Sequence, residues 1–70
     1  MKSRFVVVDK DILGGTPAFK GTRVPVKALF DYLEGNHTLD DFLDDFPSVS
    51  RKAAIGLLEE ANKTFAKSAA

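Results

Sequence analysis

Thr38-Leu39-Asp40-Asp41-Phe42-Leu43-Asp44-Asp45-Phe46-Pro47-Ser48-Val49-Ser50 is the stretch on which the fold turns. Leu39, Phe42, Leu43 and Phe46 recur at helical spacing and form one apolar stripe. Thr38 has the chemistry of an N-cap, and Asp41 follows three residues on, at capping-box spacing with Asp in place of Glu. Pro47 cannot continue a helix, so the helix spans about 39–46. Asp40, Asp41, Asp44 and Asp45 fall mainly on the opposite side. Ser48-Val49-Ser50 then makes a short turn, in which Ser50 is suited to cap the next helix and Val49 to staple onto Ala54.

Downstream, a third helix starts at about 51, with Ala54, Leu57, Leu58, Ala61 and Phe65 as its inward face. Gly56 costs that helix about 1 kcal/mol relative to Ala, which points to a close helix–helix contact. Residues 67–70 read as a fraying tail. Upstream, Val26, Leu29, Phe30 and Leu33 give a first helix that begins near Val26 or Lys27, with Pro25 suited to its first turn. Gly35 with Asn36 stops it, Gly being the residue that tolerates a left-handed end. Three helices with these breaks have the layout of a helix-turn-helix unit. In that layout the third helix presents Ser50, Arg51 and Lys52 to DNA, as guanine- or phosphate-binding side chains. The acidic second helix opposes this, because it repels phosphate.

The N-terminal third obeys different rules. Gly14 to Val26 holds three glycines and two prolines, residues that specify an unusual backbone path. Phe5-Val6-Val7-Val8 reads as a short strand that needs a neighbour, either in the same chain or exchanged with a second copy. Ala18-Phe19-Lys20 and Arg23-Val24-Pro25-Val26 flank a tight turn at Lys20-Gly21-Thr22, and Pro25 confines its strand to an edge. The fold class is therefore mainly α: a three-helix helix-turn-helix with a short N-terminal strand and a β-turn segment. One domain is expected, with the strand and turn in 1–26, the helical unit in 27–66 and the tail in 67–70.

Seventy residues bury only about 60% of the unfolded surface, so a dimer would help. There is no cysteine, no run long enough to span a membrane and no leader pattern, which fits a cytoplasmic protein. Net charge is zero but segregated. Residues 1–27 carry six basic side chains against Asp9 and Asp11, residues 28–47 carry six acids and no base, and residues 48–70 carry four bases against Glu59 and Glu60. Catalysis finds no convergent set of groups: His37 reads as a loop residue, and the aspartate pairs on one helix face do not wrap a metal. Gly14, Gly15 and Gly21 match neither phosphate-loop spacing, and no cofactor is expected. Arg23, just after the tight turn, either reaches acidic groups on a partner or pairs within the domain with Asp31, Glu34 or the acidic helix; the internal pair is the preferred reading.

Taken together, Gly14-Gly15-Thr16-Pro17, Lys20-Gly21-Thr22-Arg23-Val24-Pro25-Val26, Leu33 with Gly35, Leu39 to Phe46-Pro47 and Ser50 to Ala54 resemble the bacterial domain-of-unknown-function family 433. The resemblance covers roughly residues 12–61. It implies an antitoxin of a type II toxin–antitoxin module, a PIN-like ribonuclease toxin as partner, and a winged or homeodomain-like helix-turn-helix over 27–62. Residues 14–26 are a hallmark of that family, whereas Lys52 and Asn62 depart from its common residues. On this reading Arg23, Lys63 or Lys67 would enter the toxin's acidic metal site, or the acidic second helix would cover the toxin's RNA-gripping bases. A homodimer would bind operator DNA. The alternative is a protein-interaction module with a degenerate helix-turn-helix that touches no DNA.

Overall fold

The computed structural model describes residues 3–69, with side chains up to Ala66. Strand β1, Val6–Val7, runs antiparallel to β2, Ala18–Phe19, with Val6 opposite Phe19 and Val7 opposite Ala18. Three helices follow: α1 at Val26–Glu34, α2 at Leu39–Asp45 and α3 at Arg51–Ala69. This is a mainly α fold with a two-stranded sheet at its start. Among the described residues no helix is long and apolar enough to cross a membrane.

The strand expected over Phe5–Val8 shrinks to two residues, because Asp9 turns the chain. Its side chain accepts the amide of Asp11 at 2.8 Å and its carbonyl accepts that of Ile12 at 2.8 Å. Val8 is left 66% exposed. The neighbour β1 needs comes from the same chain. The turn at Lys20-Gly21-Thr22 forms as expected, with Gly21 at φ +78°. Phe19 donates its amide to Val24 at 2.9 Å, and Thr22 donates its amide to Phe19 at 3.0 Å. Thr22 Oγ1 adds a second bond to the Phe19 carbonyl and accepts the amide of Val24. Pro25 bridges to Ala18 on the open side of β2, where its missing donor costs nothing.

Each helix boundary has a local cause. Val26 donates its amide to Pro17 at 2.9 Å, which fixes the start of α1 against the Gly/Pro segment. Gly35 ends α1 at φ −90°, and the left-handed residue is Asn36 at φ +67°. His37 then returns its amide to Tyr32 at 3.0 Å, a Schellman-type closure in which Asn supplies the conformation expected of Gly. The capping box on α2 is complete: Thr38 Oγ1 accepts the Asp41 amide at 3.1 Å, and Asp41 Oδ2 accepts the Thr38 amide at 3.0 Å. Ser50 Oγ accepts the Ala53 amide at 3.0 Å and so caps α3.

Phe19, Val24, Leu29, Phe42, Val49, Ala54 and Leu57 form one buried cluster. Phe42 is at its centre, with its ring 6.0 Å from Phe19, 5.6 Å from Tyr32 and 4.9 Å from Phe46. Val49 and Ala54 are both buried there, as the staple requires. Phe65 corrects the expected inward face of α3. It is 74% exposed, because the cluster ends near Leu57 and Leu58 while α3 continues to Ala69.

Candidate functional site

The exposed side of α3 and the segment entering β1 flank a surface groove of about 600 Å³. Its geometry begins with Ser3. The Ser3 hydroxyl accepts the amides of Phe5 at 3.0 Å and Val6 at 3.1 Å, and donates to Glu60 Oε1 at 2.5 Å. The other carboxylate oxygen of Glu60 accepts the Arg4 amide at 3.1 Å. These bonds hold the Glu60 carboxyl below its usual range, the Ser3 contribution being the largest. From the other side, Lys20 donates its amide to the Phe5 carbonyl at 2.9 Å. Phe5 is thereby pinned at both ends of its backbone.

The Phe5 ring lies directly on Gly56. A β-carbon at that position would sit 2.8 Å from Phe5 Cδ2 and nearer still to the two atoms beyond it. The close approach expected at Gly56 is thus real, but the element that approaches is the N-terminal segment and not another helix. Ile55 is the next apolar surface, 38% exposed. Phe5, Ile55 and Gly56 form the floor. Arg51 and Lys52 border one end, Lys63 the other, with Glu59 and Glu60 between.

The sequence-derived site residues are redistributed by this geometry. Ser50 is spent on capping α3. Arg51 forms an ion pair with Asp40 of α2, so its guanidinium faces a carboxylate of its own chain. Lys52 is exposed, and Arg51, Lys52 and Lys63, which the sequence divides between DNA and toxin, line one groove together. The side chain of Lys67 lies outside the described residues. Arg23 stands apart, exposed after the Gly21 turn, and is not part of the groove. The preferred internal pair for Arg23 does not form: among the described residues no carboxylate meets it. Asp31 is instead engaged by Lys27 of its own helix at 2.8 Å, four residues away on the same face.

Ser3 and Glu60 are the site residues that sequence reasoning missed. Their bond joins positions 57 apart, and no local pattern encodes it. Gly56 was the one available signal. The remaining polar contacts near α2 are structural. Tyr32 donates to Asp45 at 2.6 Å, which raises the Tyr32 hydroxyl pKa. His37 lies 5.1 Å from the Tyr32 ring and 3.6 Å from Asp41, on the surface as a loop residue.

A family model described as a protein of unknown function, DUF433, matches residues 6–60. The chain is also similar to "Uncharacterized protein y4eO" of Sinorhizobium fredii, with 41% identity over 44 residues, which is 63% of this chain and 20% of that protein. The chain thus spans about a fifth of the length of that relative. No solved structure matches.

Proposed function

The chain belongs to the DUF433 family, and on that premise we propose that it is an antitoxin that binds and neutralises a PIN-like ribonuclease by protein docking. The observation that carries this reading is the convergence of Lys52 and Lys63 around an apolar floor of half-buried Phe5 and exposed Ile55. An apolar centre with a charged border is the usual anatomy of a protein–protein contact. Arg23 adds an exposed guanidinium on a rigid turn, suited to a bidentate grip on a carboxylate. A nuclease that gathers acids around a metal offers such carboxylates.

Arg51's pairing with Asp40 favours docking without DNA contact. A reader helix needs that guanidinium free for base edges or phosphate. In addition, Asp44 of α2 is exposed about one helical turn beyond Asp40, where it would repel a phosphate chain. Operator binding is therefore the weaker part of the family expectation.

The test is co-expression with the product of the neighbouring gene, which on this reading is a PIN-like ribonuclease. The two should co-purify, and RNA cleavage should stop at an equimolar ratio. Full nuclease activity in the presence of excess folded chain would overturn the reading. Arg23→Glu should restore cleavage while leaving stability within about 0.5 kcal/mol of the parent, as expected of an exposed site. Unchanged inhibition by that variant would remove Arg23 from the contact.

A further inference from the structure

We propose that the groove between the N-terminal segment and α3 receives an amphipathic helical segment of the partner protein, one that carries an apolar anchor flanked on both sides by carboxylates. The inference rests on the docking reading above and names the chemistry of the segment that docks.

Lys52, Ile55, Glu59 and Lys63 recur every three or four residues, so they form one stripe along α3. The stripe covers twelve residues, whose ends are about 16 Å apart, or three turns of a second helix. Along it the charge alternates. Lys52 marks one end and Lys63 the other, with Glu59 exposed between them. Glu60 faces the same groove but is committed to Ser3 and the Arg4 amide. Arg4, which also lines the groove, offsets the acids at its centre, so the complement of this pattern is a segment with acids at its two ends and an uncharged middle.

The floor decides what lies in that middle. The Phe5 ring and Ile55 present apolar surface that water covers when the groove is empty. Burying apolar side chains there supplies most of the affinity, because exposed ion pairs are screened by water and contribute little. The charges therefore select the segment and the floor holds it. A nucleic-acid strand fits poorly: its evenly spaced phosphates would cross Glu59, and its backbone would leave the floor uncovered.

Selection on the folded full chain from a displayed library of peptides about 15 residues long tests this. Enrichment should favour sequences with aliphatic or aromatic residues at helical spacing between two acidic ends. Ile55→Glu should weaken the selected peptide by about tenfold or more. The double change Lys52→Glu and Lys63→Glu should weaken it as well, and should turn the preference towards basic ends. Circular dichroism melts of each variant separate loss of binding from loss of fold, and both sites are exposed enough to keep the fold. Enrichment of basic or uncharged peptides, no enrichment, or tighter binding of a DNA duplex to the same residues would overturn the proposal. The two readings fail separately. If the charge-reversed chain still inhibits the nuclease fully, the groove is not the contact and the antitoxin reading stands. If acidic peptides bind but no nuclease is inhibited, the groove stands and the antitoxin reading falls.

Discussion

Phe42 and Phe5 are both aromatic rings set against helices, yet they occupy opposite kinds of place. Phe42 is fully buried among Phe19, Tyr32, Phe46 and the aliphatic cluster, with neighbours from the Gly/Pro segment and from α1 and α2. Phe5 is half-buried, laid on the one α3 position that has no side chain, and held by Ser3 and Glu60 at the surface. The first contact is closed on all sides and its energy comes from burial. The second is open on one side, and polar groups that water can replace set its geometry. A chain this small concentrates stability in one cluster and leaves the other ring partly open to water.

Truncating the two rings should expose that difference most strongly. Phe42→Ala should cost about 3–5 kcal/mol, a large share of the about 5–15 kcal/mol that a natural domain possesses. The variant should be largely unfolded by urea titration at concentrations the parent tolerates. Phe5→Ala should cost clearly less and keep a cooperative transition, since only part of its area is withdrawn from water. Equal losses from the two changes would break the division into a closed and an open contact.

Gly56→Ala probes the open contact from the helix side. The added methyl must displace the Phe5 ring, an overpacking cost of about 1–3 kcal/mol. Against it stands about 1 kcal/mol gained in helix propensity. The expected result is a net loss of about 1 kcal/mol by chemical denaturation, with the Phe5 resonances moved and those of Phe42 unmoved. A variant that melts above the parent with Phe5 in place would mean that the ring does not depend on the missing side chain.

The closed contact was legible in the sequence and the open one was not, for a physical reason. Thr38 with Asp41, Ser50, Val49 with Ala54, and the stripe around Phe42 are encoded within a few residues of one another, so caps and periodicity reveal them. The Gly21 turn is equally local. Asn36 took the left-handed role assigned to Gly35 because both tolerate it, and the exchange shifts the helix end by only one residue. Helical spacing places Phe65 inward because the period continues after the core has stopped; periodicity reports a face, not what covers it. The groove depends on bonds between Ser3 and Glu60 and on Phe5 meeting Gly56, partners separated by more than fifty residues. Likewise Arg51's partner Asp40 lies one helix away, so composition could suggest a free reader where the fold pairs it.

The smallest expected effect compares two carboxylates, one beside each contact. Glu60 is held below its usual 4.5 chiefly by the Ser3 hydroxyl, and Asp41 below its usual 3.8 chiefly by the Thr38 amide. A carboxyl whose pKa falls on folding binds its proton less readily in the native state. The stability it contributes is therefore complete above its unfolded pKa and is lost as pH falls through the lower, folded one. Melting temperature should hold from about pH 7 to 5 and decline below that. Glu60→Gln should lower the plateau slightly and flatten the upper part of the decline, because Glu60 has the higher usual value of the two. Asp41→Asn should flatten the part at lower pH. Both side chains are solvent-accessible, so each change is small, but the order of the two steps is fixed by chemistry. Parallel declines for the parent and Glu60→Gln would show that the Ser3–Glu60 bond does not hold the open contact in solution, and Phe5 would then need another anchor.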